Sequence, residues 1–205
     1  MSGSIRLVVA TLAATLLLAG CQPSGPVGPT PSSPPASPTA SPTPTFACTP
    51  EAGGEETPCS QTQYDQMKAR DALYAEAEAV FREYFAENIR ISRAGGVEEP
   101  TEVILATTTG SARESVMEAF REFARRGSRA RGEDPVLSIA REPGISRGDS
   151  VVTMRACVDA RGWAFYKGDE MVSEGRTAED RVYFSVTGRG LKMSFIEGRW
   201  VTSCD

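Results

Sequence analysis

Residues 151–159 read Val-Val-Thr-Met-Arg-Ala-Cys-Val-Asp, and this stretch decides the class of fold. Every second residue from Val152 to Val158 is apolar, and polar residues or cysteine occupy the positions between them. Because successive side chains of a strand point to opposite faces, this alternation predicts a strand with one apolar face and one mixed face. Further strands are predicted at 135–140, 163–166, 182–186, 191–195 and 199–201, with turns at 161–162 and 197–198. Two of these strands place alternating apolar residues on one face: Val182, Phe184 and Val186 in one, Leu191, Met193 and Phe195 in the other.

The segment before these strands has a helical pattern. Apolar residues recur at three- and four-residue steps across residues 73–85, which predicts one long helix over about 62–92. Ser60-x-x-Gln63 resembles a capping box at its start, and Gly95-Gly96 ends it.

Two shorter helices are predicted next. Pro100 opens one that contains residues 103–105, and Ser111-x-x-Glu114 is a second capping box. Gly127 ends the last helix, whose predicted buried face consists of Val116, Ala119, Phe120 and Phe123. Helices followed by antiparallel strands indicate an α+β fold.

Residues 1–20 have the parts of an export signal. A basic n-region precedes the apolar run 7–18, which is shorter than the about 20 residues that span a bilayer. Leu18-Ala19-Gly20-Cys21 resembles the lipobox of bacterial lipoproteins. The resemblance implies a diacylglycerol on the Cys21 thiol and a location at the extracytoplasmic face of the cell membrane. The alternative is an ordinary secretory signal with an incidental cysteine.

Residues 21–47 are predicted to be the lipidated cysteine and a disordered tether. Nine prolines lie within 22–46, among Ser, Thr, Gly and Ala, so this stretch cannot bury apolar surface. Fully extended at ~3.1 Å per residue, it reaches at most roughly 75 Å. Residues 48–205 remain for a single domain.

The composition excludes several chemistries. The chain has no histidine, so it lacks the commonest general base and the commonest metal ligand. Its cysteines show no C-x2-C spacing, and we expect neither a metal nor a cofactor. The formal net charge of −5 argues against nucleic acid as a partner.

Four cysteines remain once Cys21 is assigned to the lipid. An even set outside the cytoplasm suggests two disulfides, for which three pairings exist. We favour Cys48–Cys59, which closes a short loop, and Cys157–Cys204, which joins a central strand to the last one. The alternative is four free thiols.

The order of elements resembles a known family. A long helix, two shorter helices and a curved antiparallel sheet are similar to the nuclear-transport-factor-2-like, or SnoaL-like, cone fold. The stretch Cys157-Val158-Asp159-x-x-Gly162-Trp163 and the ending Glu197-Gly198-Arg199-Trp200-Val201 look like small lipoproteins of high-GC Gram-positive bacteria. The resemblance covers roughly residues 62–204. It implies a cone-shaped single domain with a pocket between sheet and long helix, used by relatives for apolar ligands, isomerase or cyclase chemistry, or protein partners.

Six aromatic residues are the candidates for lining such a pocket. They could instead be ordinary core packing, which aromatic residues at helical spacing usually are. The function expected is binding of a small apolar ligand or of an envelope protein, without enzyme activity. The six are Tyr74, Phe81, Tyr84, Trp163, Phe165 and Tyr183.

Isomerase or cyclase chemistry is the alternative function, and it needs a carboxylate inside the pocket. Asp159 is the strand carboxylate to test first, but it shares the mixed face with Arg155. We therefore favour a solvated turn carboxylate beside Arg161. The same mixed face leaves open a homodimer.

A run of five arginines follows the third predicted helix or lies at its end. These residues could touch anionic lipid or wall polymers. The favoured account is that cations at a helix C-terminus oppose the negative end of the helix dipole. The run consists of Arg121, Arg125, Arg126, Arg129 and Arg131.

Overall fold

The computed structural model describes residues 45–204. The predicted signal peptide, the lipidation site Cys21 and the tether up to residue 44 lie outside this range. The helices are α1 Gln61–Ala94, α2 Glu102–Thr107 and α3 Gly110–Arg126. The strands are β1 Phe46–Cys48, β2 Thr57–Cys59, β3 Ser128–Gly132, β4 Val136–Arg141, β5 Val152–Asp159, β6 Trp163–Lys167, β7 Glu170–Glu174, β8 Thr177–Thr187 and β9 Gly190–Val201. The predicted α+β class is confirmed.

The long helix is close to its prediction. The Ser60 Oγ accepts from the Gln63 backbone N–H at 3.3 Å, and the Gln63 side chain accepts from the Ser60 N–H at 2.9 Å. This confirms the capping box, which satisfies two backbone donors that no helical bond reaches. Gly95 ends the helix with φ 98°, a conformation that glycine adopts at little cost.

The shorter helices begin differently from their predictions. Thr101, rather than Pro100, precedes α2, and its hydroxyl accepts from the Ile104 N–H at 3.3 Å. The capping box predicted at Ser111 is wrong, because Ser111 lies inside α3 and its hydroxyl donates to the Ser194 carbonyl at 3.2 Å. The α3 helix therefore uses its first turn for a contact with the last strand.

The strands form separate antiparallel sheets rather than one meander. The order is β4-β5-β8-β9 in the four-stranded sheet and β3-β6-β7 in the three-stranded one, and β1 pairs with β2. The chain leaves the larger sheet after β5, makes the β6–β7 hairpin, and returns as β8 beside β5. The prediction of a single curved sheet is wrong, because β6 pairs with β3. The β3 strand was not predicted, since part of the arginine run occupies it.

The last strand is continuous, so the tight turn predicted at Glu197-Gly198 is wrong. The β9 strand passes straight through Gly198, which lies opposite Asp180 on β8. An irregularity in the register pairs Tyr183 with Phe195 but Phe184 with Met193. Phe195 therefore joins the outer face with Tyr183, and not the inner face of Met193 as predicted. A bulge of this kind depends on how two strands pair, and the alternation of apolar and polar residues in the sequence does not reveal it.

The core lies between α1 and the inner face of the four-stranded sheet. Phe81 is 2 % exposed, and the strand residues facing it are equally buried. Val186, predicted on the same face, is 61 % exposed because its strand runs past the core. Ala119, predicted on the buried face of α3, is exposed. The central strand residues of this core are Val152, Met154, Ala156, Val182, Phe184, Leu191 and Met193.

Both predicted disulfides are present. Cys48 and Cys59 join β1 to β2 with Cα atoms 5.9 Å apart, and Cys157 and Cys204 are joined with Cα atoms 5.6 Å apart. The β1 strand begins at Phe46, two residues before the expected start of the domain, because the Phe46 ring packs 5.2 Å from that of Tyr64. Within residues 45–204, no helix is long and apolar enough to cross a membrane.

Candidate functional site: an aromatic cavity with a carboxylate

A cavity of about 760 Å³ lies where α1 meets the two larger sheets. The helix contributes one wall through residues spaced three and four apart, which share one of its faces. The opposite walls come from β6, from the start of β8 and from the ends of β5 and β9. Its aromatic lining consists of Phe81, Tyr84, Phe85, Phe123, Trp163, Phe165 and Trp200.

The structure brings together four of the six aromatic residues predicted for a pocket: Phe81, Tyr84, Trp163 and Phe165. Trp163 and Phe165 belong to one strand, and their rings meet edge to face at 6.0 Å between centroids. An edge-to-face contact of this kind is favourable, so the two rings stabilise each other in this wall.

The other two predicted residues lie outside the cavity lining. The Tyr74 hydroxyl donates to Glu51 at 2.9 Å, and Arg141 lies over its ring at 4.7 Å. Burial, with Glu51 nearby, raises the pKa of Tyr74 to about 12. Tyr183 points to the other face of the sheet, where its hydroxyl donates to Glu197 at 3.3 Å. It follows Val182 directly, so the two side chains are necessarily on opposite faces.

One charged group of the cavity lining is Asp180, which is not among the site residues predicted from the sequence. It is partly buried on β8, in register with Ala156 on β5 and Gly198 on β9. A Cβ added to Gly198 would lie 2.7 Å from the Asp180 Oδ1 atom. The absence of a side chain at Gly198 is therefore what makes room for the carboxylate.

The electrostatics of Asp180 follow from that position. Burial raises the pKa of its carboxyl from 3.8 to about 6, because a low-dielectric site disfavours the charged form. Among residues 45–204, no side chain donates a hydrogen bond to Asp180 and no cation lies within ion-pair distance of it. Burial also raises the pKa of the neighbouring Tyr84, and the Asp180 charge adds to that shift.

The cavity wall holds a second polar group without a partner. Trp163 is 6 % exposed, and its Nε1–H donates to no acceptor among the described residues. Leaving such a donor unpaired in a buried site costs about 1–3 kcal/mol. Core packing alone therefore does not explain why the Trp163 indole N–H is buried in this wall without an acceptor.

Asp159, the carboxylate named from the sequence, is the last residue of β5 and does not line the cavity. Arg161 donates to it from Nε at 2.9 Å and from Nη2 at 2.5 Å, and the Arg161 backbone N–H adds a third bond. These hydrogen bonds hold the pKa of Asp159 well below its usual range. Its partner is Arg161, as the sequence favoured, although Asp159 ends a strand rather than lying in a turn.

The arginine run divides between two elements. Arg125 and Arg126 close α3, where both pair with Glu122. Arg129 and Arg131 belong to β3, and Arg131 donates to the Gly168 carbonyl at 2.7 Å. Arg125 and Arg126 therefore lie where cations oppose the dipole, as favoured. Arg121 lies before the last turn and donates to the Glu98 carbonyl at 2.9 Å, so the run is not one surface.

The outer face of the four-stranded sheet carries paired charges. Arg199 and Glu179 lie 2.5 Å apart across neighbouring strands, and Arg155 approaches the same carboxylate at 3.8 Å. Arg181 pairs with Glu142 at 2.5 Å. The homodimer through this mixed face stays a prediction. Within the described range, no three side chains of His, Cys, Asp or Glu gather as metal ligands.

A sequence signal for Asp180 existed. It lies two residues before Val182 and four before Phe184, and so shares their inner face by strand alternation. The turn predicted at Glu197-Gly198 hides the space beside the carboxylate. Trp200, which also lines the cavity, is brought there only by the continuation of β9 past Gly198.

Comparison with known proteins yields no family. No family model and no curated protein matches the chain. One similar solved structure is the intermembrane space region of the chloroplast protein ARC6, with 16% identity and a TM-score of 0.43, covering 62% of this chain and 95% of that chain. Another is a de novo designed β-sheet protein, with 12% identity and a TM-score of 0.34, covering 62% and 92%. Likenesses this weak carry no argument about function.

Proposed function

We propose that this chain is a lipoprotein, anchored through Cys21 at the extracytoplasmic face of the cell membrane, whose domain binds a small, mostly apolar molecule. The observation that carries the binding function is the aromatic cavity, whose wall includes a carboxylate without a partner. The lipobox resemblance at residues 18–21 supports the anchor.

The dimensions of the cavity suit a small molecule. Ligand sites in proteins commonly enclose about 300–1,000 Å³, with mostly apolar walls and a few polar groups that orient the ligand. This cavity has about 760 Å³ and that distribution of groups. An apolar ligand gains about 25 cal/mol for each Å² that it removes from water, which the aromatic walls supply.

The placement of the cavity also supports a cone-type domain. The family resemblance implies a pocket between the long helix and an antiparallel sheet, and the cavity lies between α1 and the two larger sheets. We therefore keep the nuclear-transport-factor-2-like arrangement as the proposed fold family.

Native mass spectrometry of the full chain, purified from its own host, tests the binding function. Ala178 lies in the cavity wall, so Ala178→Phe fills the space without removing a core side chain. Ala140→Phe, on the exposed side of β4, is the matched control. We expect a bound mass on the unchanged protein and on the control, and none on Ala178→Phe. The same bare mass for all three proteins contradicts the proposal.

Proton transfer at carbon is the second candidate function. One observation favours it: the Asp180 carboxyl, with a pKa raised to about 6, is in the range where a general base operates near neutral pH. Exchange of solvent deuterium into a β,γ-unsaturated ketone tests this candidate. Exchange that is lost in Asp180→Asn and kept in Asp159→Asn supports it, and equal rates in all three proteins exclude it.

A further inference from the structure

We propose that the molecule bound in the cavity is an apolar amine, whose ammonium group pairs with the Asp180 carboxylate. This inference rests on the proposed binding function and names the chemical class of the ligand. Three features of the cavity carry it: a carboxylate without a cation, space beside that carboxylate, and aromatic walls.

The first feature is a contrast between neighbours on β8. Glu179, on the outer face, has Arg199 at 2.5 Å and Arg155 at 3.8 Å. Asp180, on the inner face, has neither an ion pair nor a hydrogen bond from any side chain between residues 45 and 204. A partly buried carboxylate is stabilised by an opposite charge. A cationic ligand would therefore gain affinity by forming the ion pair that Asp180 lacks.

The second feature is the space around the carboxylate. The residues beside Asp180 on the flanking strands are Ala156 and Gly198, which have the two smallest side chains. A ligand group can therefore approach the carboxylate from the cavity without displacing a bulky neighbour. A larger residue in place of Gly198 would occupy this space.

The third feature is the chemistry of the walls. Tyr84, Trp163 and Phe165 line the same cavity, and aromatic faces attract cations as well as apolar groups. The other charged groups of the lining are Glu174 and Arg176, both exposed. An anionic ligand that reaches Asp180 would meet a like charge, which opposes its binding.

A neutral ligand with a hydroxyl group is the competing occupant, since a hydroxyl also donates to a carboxylate. An ammonium group adds to its hydrogen bond the Coulomb attraction between two opposite unit charges, which a neutral hydroxyl lacks. The two ligand classes therefore differ in affinity when their apolar bodies are the same.

Three probes with one apolar body test the inference by isothermal titration of the full chain at neutral pH: 2-(2-naphthyl)ethylamine, 2-(2-naphthyl)ethanol and 2-naphthylacetate. We expect the amine to bind at least about tenfold more tightly than the alcohol, and the acetate to bind most weakly. In Asp180→Asn the preference for the amine over the alcohol should disappear. Asp159→Asn, which changes a carboxylate outside the cavity, should leave the preference intact.

The pH profile adds a readout that a merely structural role of Asp180 would not give. The preference for the amine should decline as the pH falls through about 6, where burial places the pKa of Asp180. Tyr84 keeps its proton throughout this range, because its pKa is raised. Glu174 and Arg176 face solvent at the cavity and are present in every variant.

The outcomes separate the two proposals. Equal affinity of amine and alcohol for the unchanged protein overturns the amine assignment and leaves the binding function standing. A preference that survives Asp180→Asn overturns the role of this carboxylate. Absence of binding by all three probes contradicts both proposals.

Discussion

Replacing Asp180 by asparagine should stabilise the domain at neutral pH. Burial raises the pKa of this carboxyl from 3.8 to about 6. The folded state therefore holds the proton more tightly than the unfolded chain does, and stability falls as the pH rises between these values. A difference of this size corresponds to at most about 3 kcal/mol, and less where water reaches the carboxylate. An asparagine side chain at this position carries no charge at any pH, so it avoids this cost.

The measurement is urea unfolding of the full chain and of Asp180→Asn, on protein that native mass spectrometry shows to be free of ligand. At pH 7.5 the variant should have the higher free energy of unfolding, by up to about 3 kcal/mol. In thermal unfolding this is a rise of up to about 10 °C for a domain of this size. At pH 4 the two proteins should be nearly equal, because Asp180 is then protonated in the folded state.

The control variant Asp159→Asn should change the free energy of unfolding in the opposite direction. Arg161 lowers the pKa of Asp159, so the ionised form of Asp159 stabilises the fold, and that stability is lost as the pH falls below the usual carboxyl range. Asp159→Asn should therefore weaken the domain slightly at pH 7.5 and still do so at pH 4, where folded Asp159 remains ionised. If Asp180→Asn has no effect at pH 7.5, or the same effect at pH 4, the reasoning about a buried ionised carboxylate is refuted.

Two further predictions concern Gly198 and the two disulfides. Gly198→Ala should lower affinity for the naphthylethylamine probe in calorimetry, because its Cβ would lie 2.7 Å from the Asp180 Oδ1 atom and the carboxylate would have to move. Replacing both Cys157 and Cys204 by serine should lower the free energy of urea unfolding by up to about 4 kcal/mol, because the disulfide closes a long loop. The same change at Cys48 and Cys59 should cost up to about 3 kcal/mol, since that loop is shorter.

These two predictions have their own contradicting results. Gly188→Ala is the matched control for the glycine, because an added Cβ there meets nothing within 4 Å. Equal affinity of the two alanine variants for the amine probe would show that Gly198 does not reserve space for the carboxylate. A larger loss of stability from the Cys48–Cys59 pair than from the Cys157–Cys204 pair would contradict the loop-length argument.

The helices could be read from the sequence because their signals are local. The step of three and four residues gives α1 its buried face, and Ser60 and Gln63 cap it through bonds that span three positions. The second capping motif failed because Ser111 has a distant competitor, the Ser194 carbonyl. A hydroxyl that has a hydrogen-bond partner elsewhere in the tertiary structure need not cap the helix, so the local sequence motif no longer predicts its contact.

The sequence by itself determined the α+β class, the long capped helix and most strands, because periodicity is a property of neighbouring residues. It favoured the two disulfide pairs among three possible pairings, and the structure contains them. Only the tertiary structure decided which strands share a sheet, that β9 runs on through Gly198, and that Asp180 enters the cavity. Strand alternation predicts which face each side chain is on. It does not predict which face another element covers, or which residues lie opposite. Those depend on pairings between residues far apart in the chain, and the carboxylate of this cavity is a product of such pairings.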